Sequence, residues 1–287
     1  MRLSLAEKAS LVGPFDYILL KTIYSLRDKN EFVSFNSLKR KLDIKDDEEL
    51  KISLMKLSEL RLIFKNPTDL SFRLTFSGLD ILGIKLLFVN KILNRLAEIV
   101  GIGKESVVYY GYDFNDNKII VKFHRVGTDS YKKVKFRKSL EKKSWLSITV
   151  ENAKREYEAL TCLSNEGGYV PKPLGVEYNA VAMEYIDGIE LYKVPVNNLD
   201  LNLDEILEKI LQTMRIAYTI CNITHGDLSP YNVLIDKNGN PYLIDWPQAT
   251  KSEERLEKDL SNLIMFFRKY GIDIDIRKIF DYVRGVS

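Results

Sequence analysis

The chain has 287 residues, 45% of them hydrophobic, and a formal net charge of +3 at pH 7. This length and apolar content allow a large buried core and a division into two compact units. The longest apolar stretch, residues 79–89, is interrupted by Gly83 and Lys85 and is shorter than the roughly 20 residues that span a bilayer, so no membrane segment is predicted.

The N-terminus and the cysteines predict the cellular compartment of the protein and the redox state of its thiols. Residues 1–13 lack the central apolar block of an export signal, which favours a cytoplasmic protein. Cys162 and Cys221 have no paired-motif spacing, and His124 and His225 are the only histidines. This pattern supports neither a disulfide framework nor a zinc site, and we expect two reduced core thiols in a monomer.

The first 76 residues have the pattern of a separate domain. Pro14 precedes a helical apolar pattern over residues 15–26, and a second short helix is predicted over residues 34–42. Asp46, with Glu49 three residues later, is typical of the capping pair that opens a third helix. A turn at residues 66–69 separates two short strand patterns and predicts a β-hairpin. Three helices followed by a hairpin is the order of a winged helix.

A winged helix commonly places its third helix in a nucleic-acid groove, while cations on the wing contact phosphates. The cations available here are Lys51, Lys56, Lys65 and Arg73. Three glutamates lie among them, at positions 48, 49 and 59, so protein docking or a purely structural role is the alternative. A helical segment, residues 77–98, then leads without a flexible linker into the second unit, residues 99–287, and we expect the two domains to pack together.

A small-residue turn begins the second unit. It comprises Gly101, Gly103, Lys104, Glu105 and Ser106, and a strand pattern follows. Backbone N–H groups in such a turn can approach phosphates. The spacing is not that of a Walker loop, and Ser106 stands where protein kinases have a glycine. For this segment taken alone, an ordinary hairpin turn is the alternative.

Lys122 interrupts the apolar strand pattern of residues 119–123. A buried lysine is costly unless an anion meets it, so Lys122 is a predicted phosphate ligand; a side chain that reaches the surface is the alternative. Glu156 lies in a predicted helix over residues 153–160 and is the predicted partner of Lys122, as the helix glutamate of kinases is.

The segment from His225 to Asn232 carries the most specific pattern. Asp227 and Asn232 are five positions apart, the spacing of a kinase catalytic loop, in which the aspartate orients the proton of an attacking hydroxyl. The strand patterns at 233–235 and 242–244 predict a hairpin that ends in Asp245. Magnesium prefers one or two carboxylates with other oxygen ligands, so Asn232 and Asp245 are predicted metal ligands.

These segments resemble those of the Rio family of atypical serine kinases. Residues 225–232 and 244–248 are similar to its catalytic and metal loops, and residues 101–106, 122–127 and 183–188 are similar to its nucleotide loop, lysine strand and hinge. The winged helix points to the second, Rio-two branch. The resemblance implies an α+β fold in which a winged helix precedes a two-lobed kinase-like domain, with an N-lobe to about residue 183, a hinge at 184–188 and a C-lobe at 189–287.

The resemblance also implies how ATP is bound. Lys122 binds the α- and β-phosphates, and Ser106 and its neighbours in the turn hold phosphate. Met183, Glu184 and Ile186 belong to the hinge, where Glu184 and Ile186 meet adenine through the backbone.

The implied activity is that of an ATP- and Mg²⁺-dependent serine kinase with ATPase activity, for which Mn²⁺ is a substitute metal. Asp227 is the catalytic carboxylate, Asn232 and Asp245 hold the metal, and Asp245 is the group that would take a phosphoryl group transiently. Ser130 is the predicted site of autophosphorylation. The implied partner is the maturing small ribosomal subunit and its rRNA.

Two other functions stay open at this point. Small-molecule phosphotransferases of the aminoglycoside and choline kinase type share the His-Gly-Asp start and a tryptophan at the position of Trp246, where Rio proteins usually have phenylalanine. They favour histidine at the position of Ser229, and a winged helix is foreign to them. The third hypothesis is an ATP-bound RNA-binding scaffold without catalysis.

A basic segment supports the RNA partner. Residues 122–143 contain nine lysines and arginines against Asp129 and Glu141. Such a run attracts polyanions, and we expect its second half, residues 132–143, to contact RNA phosphates; a solvated loop is the alternative.

Overall fold

The computed structural model describes residues 3–27, 31–126, 144–195, 201–272 and 275–286. The chain forms two compact units, Met1–Ala153 with Gly175–Ala182, and Lys154–Leu174 with Met183–Ser287. The mixture of helices and antiparallel strands confirms the predicted α+β class. The domain boundaries predicted near residues 76 and 98 stay predictions.

Residues 3–27 and 31–75, here called the winged-helix segment after the fold predicted for them, contain the predicted helices and hairpin and two further elements. In chain order they are α1 (Leu5–Leu11), α2 (Pro14–Leu26), β1 (Val33–Ser34), α3 (Phe35–Lys41), α4 (Asp47–Glu59), β2 (Ile63–Lys65) and β3 (Ser71–Leu74). The sequence analysis missed α1, which has only seven residues, and β1, which exists because Val33 pairs with Phe72 of β3. Asp46 is the N-cap of α4, as predicted. Its side chain accepts a hydrogen bond from the N–H of Glu48.

Helix α5 (Phe76–Val89) follows the hairpin. The prediction that this helical segment continues to residue 98 is wrong, because the helix ends at Val89 and strand β4 (Arg95–Ile102) begins six residues later. The apolar residues that extend the helical pattern beyond position 89 pair in a sheet instead. β4 lies at the edge of a five-stranded sheet, and pairing across strands is not visible in the local periodicity.

The five-stranded sheet has the order β4-β5-β6-β8-β7. Its other strands are β5 (Ser106–Tyr112), β6 (Lys118–His124), β7 (Pro173–Glu177) and β8 (Ala180–Glu184). β5 pairs antiparallel with both β4 and β6. Helix α6 (Trp145–Asn165) includes the predicted helix around Glu156.

Besides most of α6, the described residues of the second unit form a small sheet and three further α-helices. The sheet has the order β11-β10-β9, from β9 (Gly188–Glu190), β10 (Val233–Asp236) and β11 (Pro241–Leu243). The helices are α7 (Leu203–Thr219), α8 (Glu253–Arg268) and α9 (Ile276–Arg284). The β10–β11 hairpin forms as predicted, and Gly239 in its turn has a φ of 78°, which favours glycine.

Among the described residues, no helix combines the length and the apolar character that a membrane crossing requires.

The expectation of two reduced thiols is wrong. Cys162, near the end of α6, and Cys221, just after α7, form a disulfide with their Cα atoms 6.0 Å apart. They are 59 residues apart in the sequence, so no local spacing reveals the pair. The packing of the second unit, to which both residues belong, brings them together.

We expect this disulfide to contribute to the stability of the second unit. A cross-link that closes a loop of 59 residues lowers the entropy of the unfolded chain, which corresponds to about 4 kcal/mol in the chain-entropy model. Reduction with a thiol reagent should therefore lower the urea midpoint of the wild type. A Cys162→Ser/Cys221→Ser variant is the control and should show the lower midpoint with or without reductant. Reactive thiols in the unreduced, denatured wild type would contradict the disulfide.

Candidate nucleotide and phosphoryl-transfer site

In the first unit, the predicted nucleotide turn connects β4 to β5. The N–H of Gly103 donates to the carbonyl of Ser106 at 2.8 Å and closes the turn. A Cβ placed on Gly101 would meet no atom within 4 Å, so the backbone there is open to close approach. Gly103 and Lys104 are exposed, while Glu105 and Ser106 are half-buried. The turn has the backbone exposure that a phosphate site needs.

Lys122 lies in the middle of β6, as predicted. It pairs with Val108 of β5, which on its other side pairs with Gly101 of β4, so Gly101 and Lys122 lie in one row across three strands. Only 7% of Lys122 is exposed, which contradicts the alternative of a side chain that reaches the surface. A buried ammonium group requires an anionic partner, and a phosphate is one such group.

The predicted hinge belongs to the second unit. Met183 is buried at the end of β8, and the N–H of the next residue, Glu184, donates to the carbonyl of Lys172 at 2.9 Å. Residues 185–187 have no regular structure and connect β8 to β9, so Ile186 lies in an irregular connection. This geometry is compatible with backbone contacts to a planar base.

The catalytic-loop residues lie close together in the second unit. Asp227 is exposed, and its carbonyl accepts from Nδ2 of Asn232 at 2.9 Å. The carbonyl of Asn232 in turn accepts from the N–H of Ile244 at 2.9 Å. The second bond places Asn232 beside the end of the β10–β11 hairpin, where Asp245 follows. The structure therefore brings Asp227, Asn232 and Asp245 close together, and their roles stay predictions.

Asn232 and Asp245 fit the predicted magnesium site. Because Nδ2 of Asn232 donates to Asp227, the side-chain oxygen of Asn232 is the atom left for a metal. Asp245 adds a hard carboxylate, and Mg²⁺ commonly uses one or two such ligands with water and phosphate oxygens. Asp245 has a φ of 72°, a left-handed conformation that is uncommon outside glycine and that clusters at functional sites.

Asp259 of α8 holds the catalytic loop from inside the unit. Its side chain is fully buried and accepts from the N–H of Gly226 at 2.7 Å and from the N–H of Leu228 at 2.8 Å. Burial raises the pKa of Asp259, while these two N–H groups act in the opposite direction. Both backbone groups flanking Asp227 are thereby fixed by one carboxylate.

His225 supports the same loop through a side-chain contact with the main chain. Its Nε2 lies 2.9 Å from the carbonyl of Ile244, and because a carbonyl only accepts, Nε2 carries the hydrogen. The ring lies against Trp246, with centroids 4.5 Å apart. Burial lowers the pKa of His225, so the imidazole is neutral near pH 7.

Glu156 is 1% exposed and accepts, through Oε1, from the N–H of Trp246 at 3.1 Å. It therefore fixes the backbone immediately after Asp245. The predicted pairing of Glu156 with Lys122 stays a prediction.

The sequence analysis missed Asp259, although a signal was present. Asp259 lies three residues after Leu256 and four before Leu263, on the apolar face of α8. A carboxylate on the buried face of a helix needs donors, and such a position is a reason to look for them. The predicted autophosphorylation site, Ser130, and the basic segment, residues 132–143, lie outside the described residues.

We expect Asp259→Asn to loosen the catalytic loop. The amide keeps one accepting oxygen and presents an NH₂ group to the second backbone N–H, which leaves that donor unsatisfied at a cost of about 1–3 kcal/mol. Hydrogen exchange should become faster at Gly226 and Leu228. Glu257→Gln, an exposed change on the same helix, is the control and should leave both amides protected. Equal protection in the two variants would contradict this role of Asp259.

Comparisons with known proteins agree with this geometry. Residues 107–279 match the model of the RIO domain family. The chain is 31% identical over 271 residues to the RIO-type serine/threonine-protein kinase Rio2 of Methanocaldococcus jannaschii, a match that covers 88% of this chain and 98% of that protein. It is 30% identical over 223 residues to the serine/threonine-protein kinase RIO2 of Caenorhabditis elegans, covering 74% of this chain and 41% of that protein.

A solved structure shows the same fold. The crystal structure of the Rio2 kinase from Chaetomium thermophilum in its ADP/Mg²⁺-phosphoaspartate complex is similar with a TM-score of 0.76 and 21% identity, over 96% of this chain and 88% of that one. With the family match, the relatives and this fold, the chain belongs to the RIO family of atypical protein kinases and is of the Rio2 type.

Proposed function

We propose that this RIO-family chain is an ATP- and Mg²⁺-dependent serine/threonine protein kinase that also phosphorylates itself and acts on precursors of the small ribosomal subunit. The observation that carries the catalytic part is the juxtaposition of an exposed Asp227 with Asn232 and Asp245. Asp227 can take up the proton of the acceptor. It lies next to two oxygen ligands for a metal, Asn232 just before the β10–β11 hairpin and Asp245 just after it. This is the arrangement that phosphoryl transfer by kinases requires.

Asp227 accepts the proton of the attacking hydroxyl. As the bond between the acceptor oxygen and the γ-phosphorus forms, the bond from that phosphorus to the oxygen of ADP breaks. The contacts of Asp259 with Gly226 and Leu228 keep Asp227 in place. Most of the rate acceleration in such a reaction comes from positioning and charge stabilisation.

The remaining residues bind ATP and the metal. Lys122 and the turn at residues 101–106 bind phosphates, and the connection after Glu184 contacts adenine. Asn232 and Asp245 hold Mg²⁺, which, when bound, neutralises charge on the phosphates. ATP hydrolysis follows one of two routes. Water attacks the γ-phosphate directly, or the phosphoryl group is first transferred to Asp245 and water then hydrolyses the aspartyl phosphate.

Support for an RNA partner comes from the winged-helix segment, but the structure reduces the number of its cations that can contact phosphate. Two of its four predicted phosphate-binding cations are in ion pairs, Lys56 with Asp16 at 2.6 Å and Arg73 with Glu31 at 2.6 Å. The exposed residues Lys51 and Lys65 are the better phosphate contacts.

Labelled ATP distinguishes the catalytic alternatives. With γ-labelled ATP and Mg²⁺, the wild type should release phosphate and label itself, and Asp227→Ala should lower the rate about 100-fold or more. Asp245→Asn should abolish both. Label on serine survives hydroxylamine and maps to the peptide that contains Ser130, whereas label on an aspartate is released by hydroxylamine.

Asp204→Asn is the matched control for these variants, because Asp204 is an exposed carboxylate on α7, and its activity should equal that of the wild type. Tight ATP binding without release or transfer would favour the scaffold hypothesis. Transfer to an aminoglycoside or choline, with none to protein, would favour a small-molecule phosphotransferase.

Binding to small-subunit precursor particles should weaken steeply with salt. Each neutralised phosphate adds roughly 0.9 to the slope of log affinity against log salt, so a Lys51→Ala/Lys65→Ala variant should reduce the slope by about 1–2. Co-sedimentation between about 50 and 200 mM salt measures the slope. Lys258→Ala, at an exposed position on α8, is the control and should not change it. A slope unaffected by Lys51 and Lys65 would remove the winged-helix segment from the RNA contact.

A further inference from the structure

Helix α5 is held tightly against the winged-helix segment. A Cβ added to Gly78 would overlap the backbone carbonyl of Leu62, which lies at the start of the hairpin. Oγ1 of Thr75, the N-cap of α5, donates to the same carbonyl at 2.9 Å. The first turn of α5 therefore cannot move without the hairpin.

Five residues later, at Gly83, α5 also lies close to the connection between β7 and β8. A Cβ on Gly83 would lie 2.9 Å from both the carbonyl oxygen of Glu177 and the Cβ of Ala180. Side chains larger than hydrogen are excluded at both glycines, so α5 is fixed on two sides within the first unit.

Asp80 lies between these two contacts and is completely buried. Its Oδ1 accepts from Nδ2 of Asn179 at 2.7 Å, and its Oδ2 forms an ion pair with Arg125. Burial raises the pKa of Asp80, while Arg125 and Asn179 act in the opposite direction. A carboxylate in this position therefore depends on both partners for its charge.

Arg125 connects Asp80 to the nucleotide turn. It follows His124, the last residue of β6, and lies three residues after Lys122. Its backbone N–H donates to the carbonyl of Glu105 at 2.7 Å. The carbonyl of His124 also accepts from Nδ2 of Asn179, at 2.9 Å. The side chain of Arg125 is thus fixed by α5, while its main chain holds the turn.

We propose that Asp80 and Arg125 are positioning residues for ATP: their ion pair fixes the carbonyl of Glu105 and the end of β6, and so sets the geometry of the turn at residues 101–106 and of Lys122. The inference rests on the proposed ATP-binding role of that turn. According to this inference, α5 controls the affinity for the phosphates of ATP, although it belongs to neither the turn nor the strand.

The variant that tests this is Asp80→Asn, which keeps the shape and removes the charge. Hydrogen exchange at Arg125 and Gly103 should become at least about fivefold faster, because both amides close the turn. The dissociation constant for MgATP should rise about tenfold, and the KM for ATP should rise more than kcat falls. Arg125→Lys retains the charge with a shorter reach and should change both quantities in the same direction by less.

Asp16→Asn is the matched control. Asp16 is also a buried carboxylate of the first unit, and it accepts from Ser53 at 2.5 Å and from Lys56 at 2.6 Å within the winged-helix segment. Loss of the Asp16 charge should lower the melting temperature. Hydrogen exchange at the turn and the affinity for MgATP should stay unchanged.

Two results would overturn the inference. One is a lower melting temperature for Asp80→Asn with wild-type exchange at Gly103 and Arg125, which would make the ion pair merely structural. The other is an equal effect of Asp16→Asn on the turn, which would indicate general loosening. Should the wild type bind no MgATP, the proposed function fails, and the exchange measurement still decides whether Asp80 holds the turn.

Discussion

The catalytic segment depends on one carboxylate that is completely buried. Asp259 accepts two backbone hydrogen bonds, from the residues on either side of Asp227. These bonds fix the main chain that carries the exposed side chain of Asp227. A loop that carries a reactive group needs such support, because its own backbone groups are not paired in a helix or sheet. His225 and Glu156 add to this support at the other end of the site, through Ile244 and Trp246.

The first unit uses the same principle for the nucleotide turn. Asp80 is buried like Asp259, but it acts through the side chain of Arg125, whose main chain holds Glu105. In both units the residues that would touch ATP are exposed or half-buried, with the exception of Lys122, and the carboxylates that support them, Asp80 and Asp259, are completely buried. Buried carboxylates of this kind cost desolvation energy, which is offset only where several donors converge on them.

Much of the site was predictable from the sequence, because its chemistry lies in short segments. The five-residue spacing from Asp227 to Asn232, the hairpin that leads to Asp245 and the lysine within an apolar strand are local patterns, and each lies in the predicted element. Most of the residues that support the site were not found in this way. Asp80, Asp259 and Asn179 contact loops that are far away in the sequence, and nothing near them indicates their partners.

The sequence by itself determined the element order, the type of most elements and the identity of the chemical groups, since helix periodicity, turn residues and capping depend on neighbours within a few positions. Only the tertiary structure decided that the segment from Arg95 to Ile102 is a strand and not the end of a helix, and that Cys162 is bonded to Cys221. Strand pairing and disulfide formation depend on which distant segments meet. That depends on the packing of the whole unit and not on the local pattern.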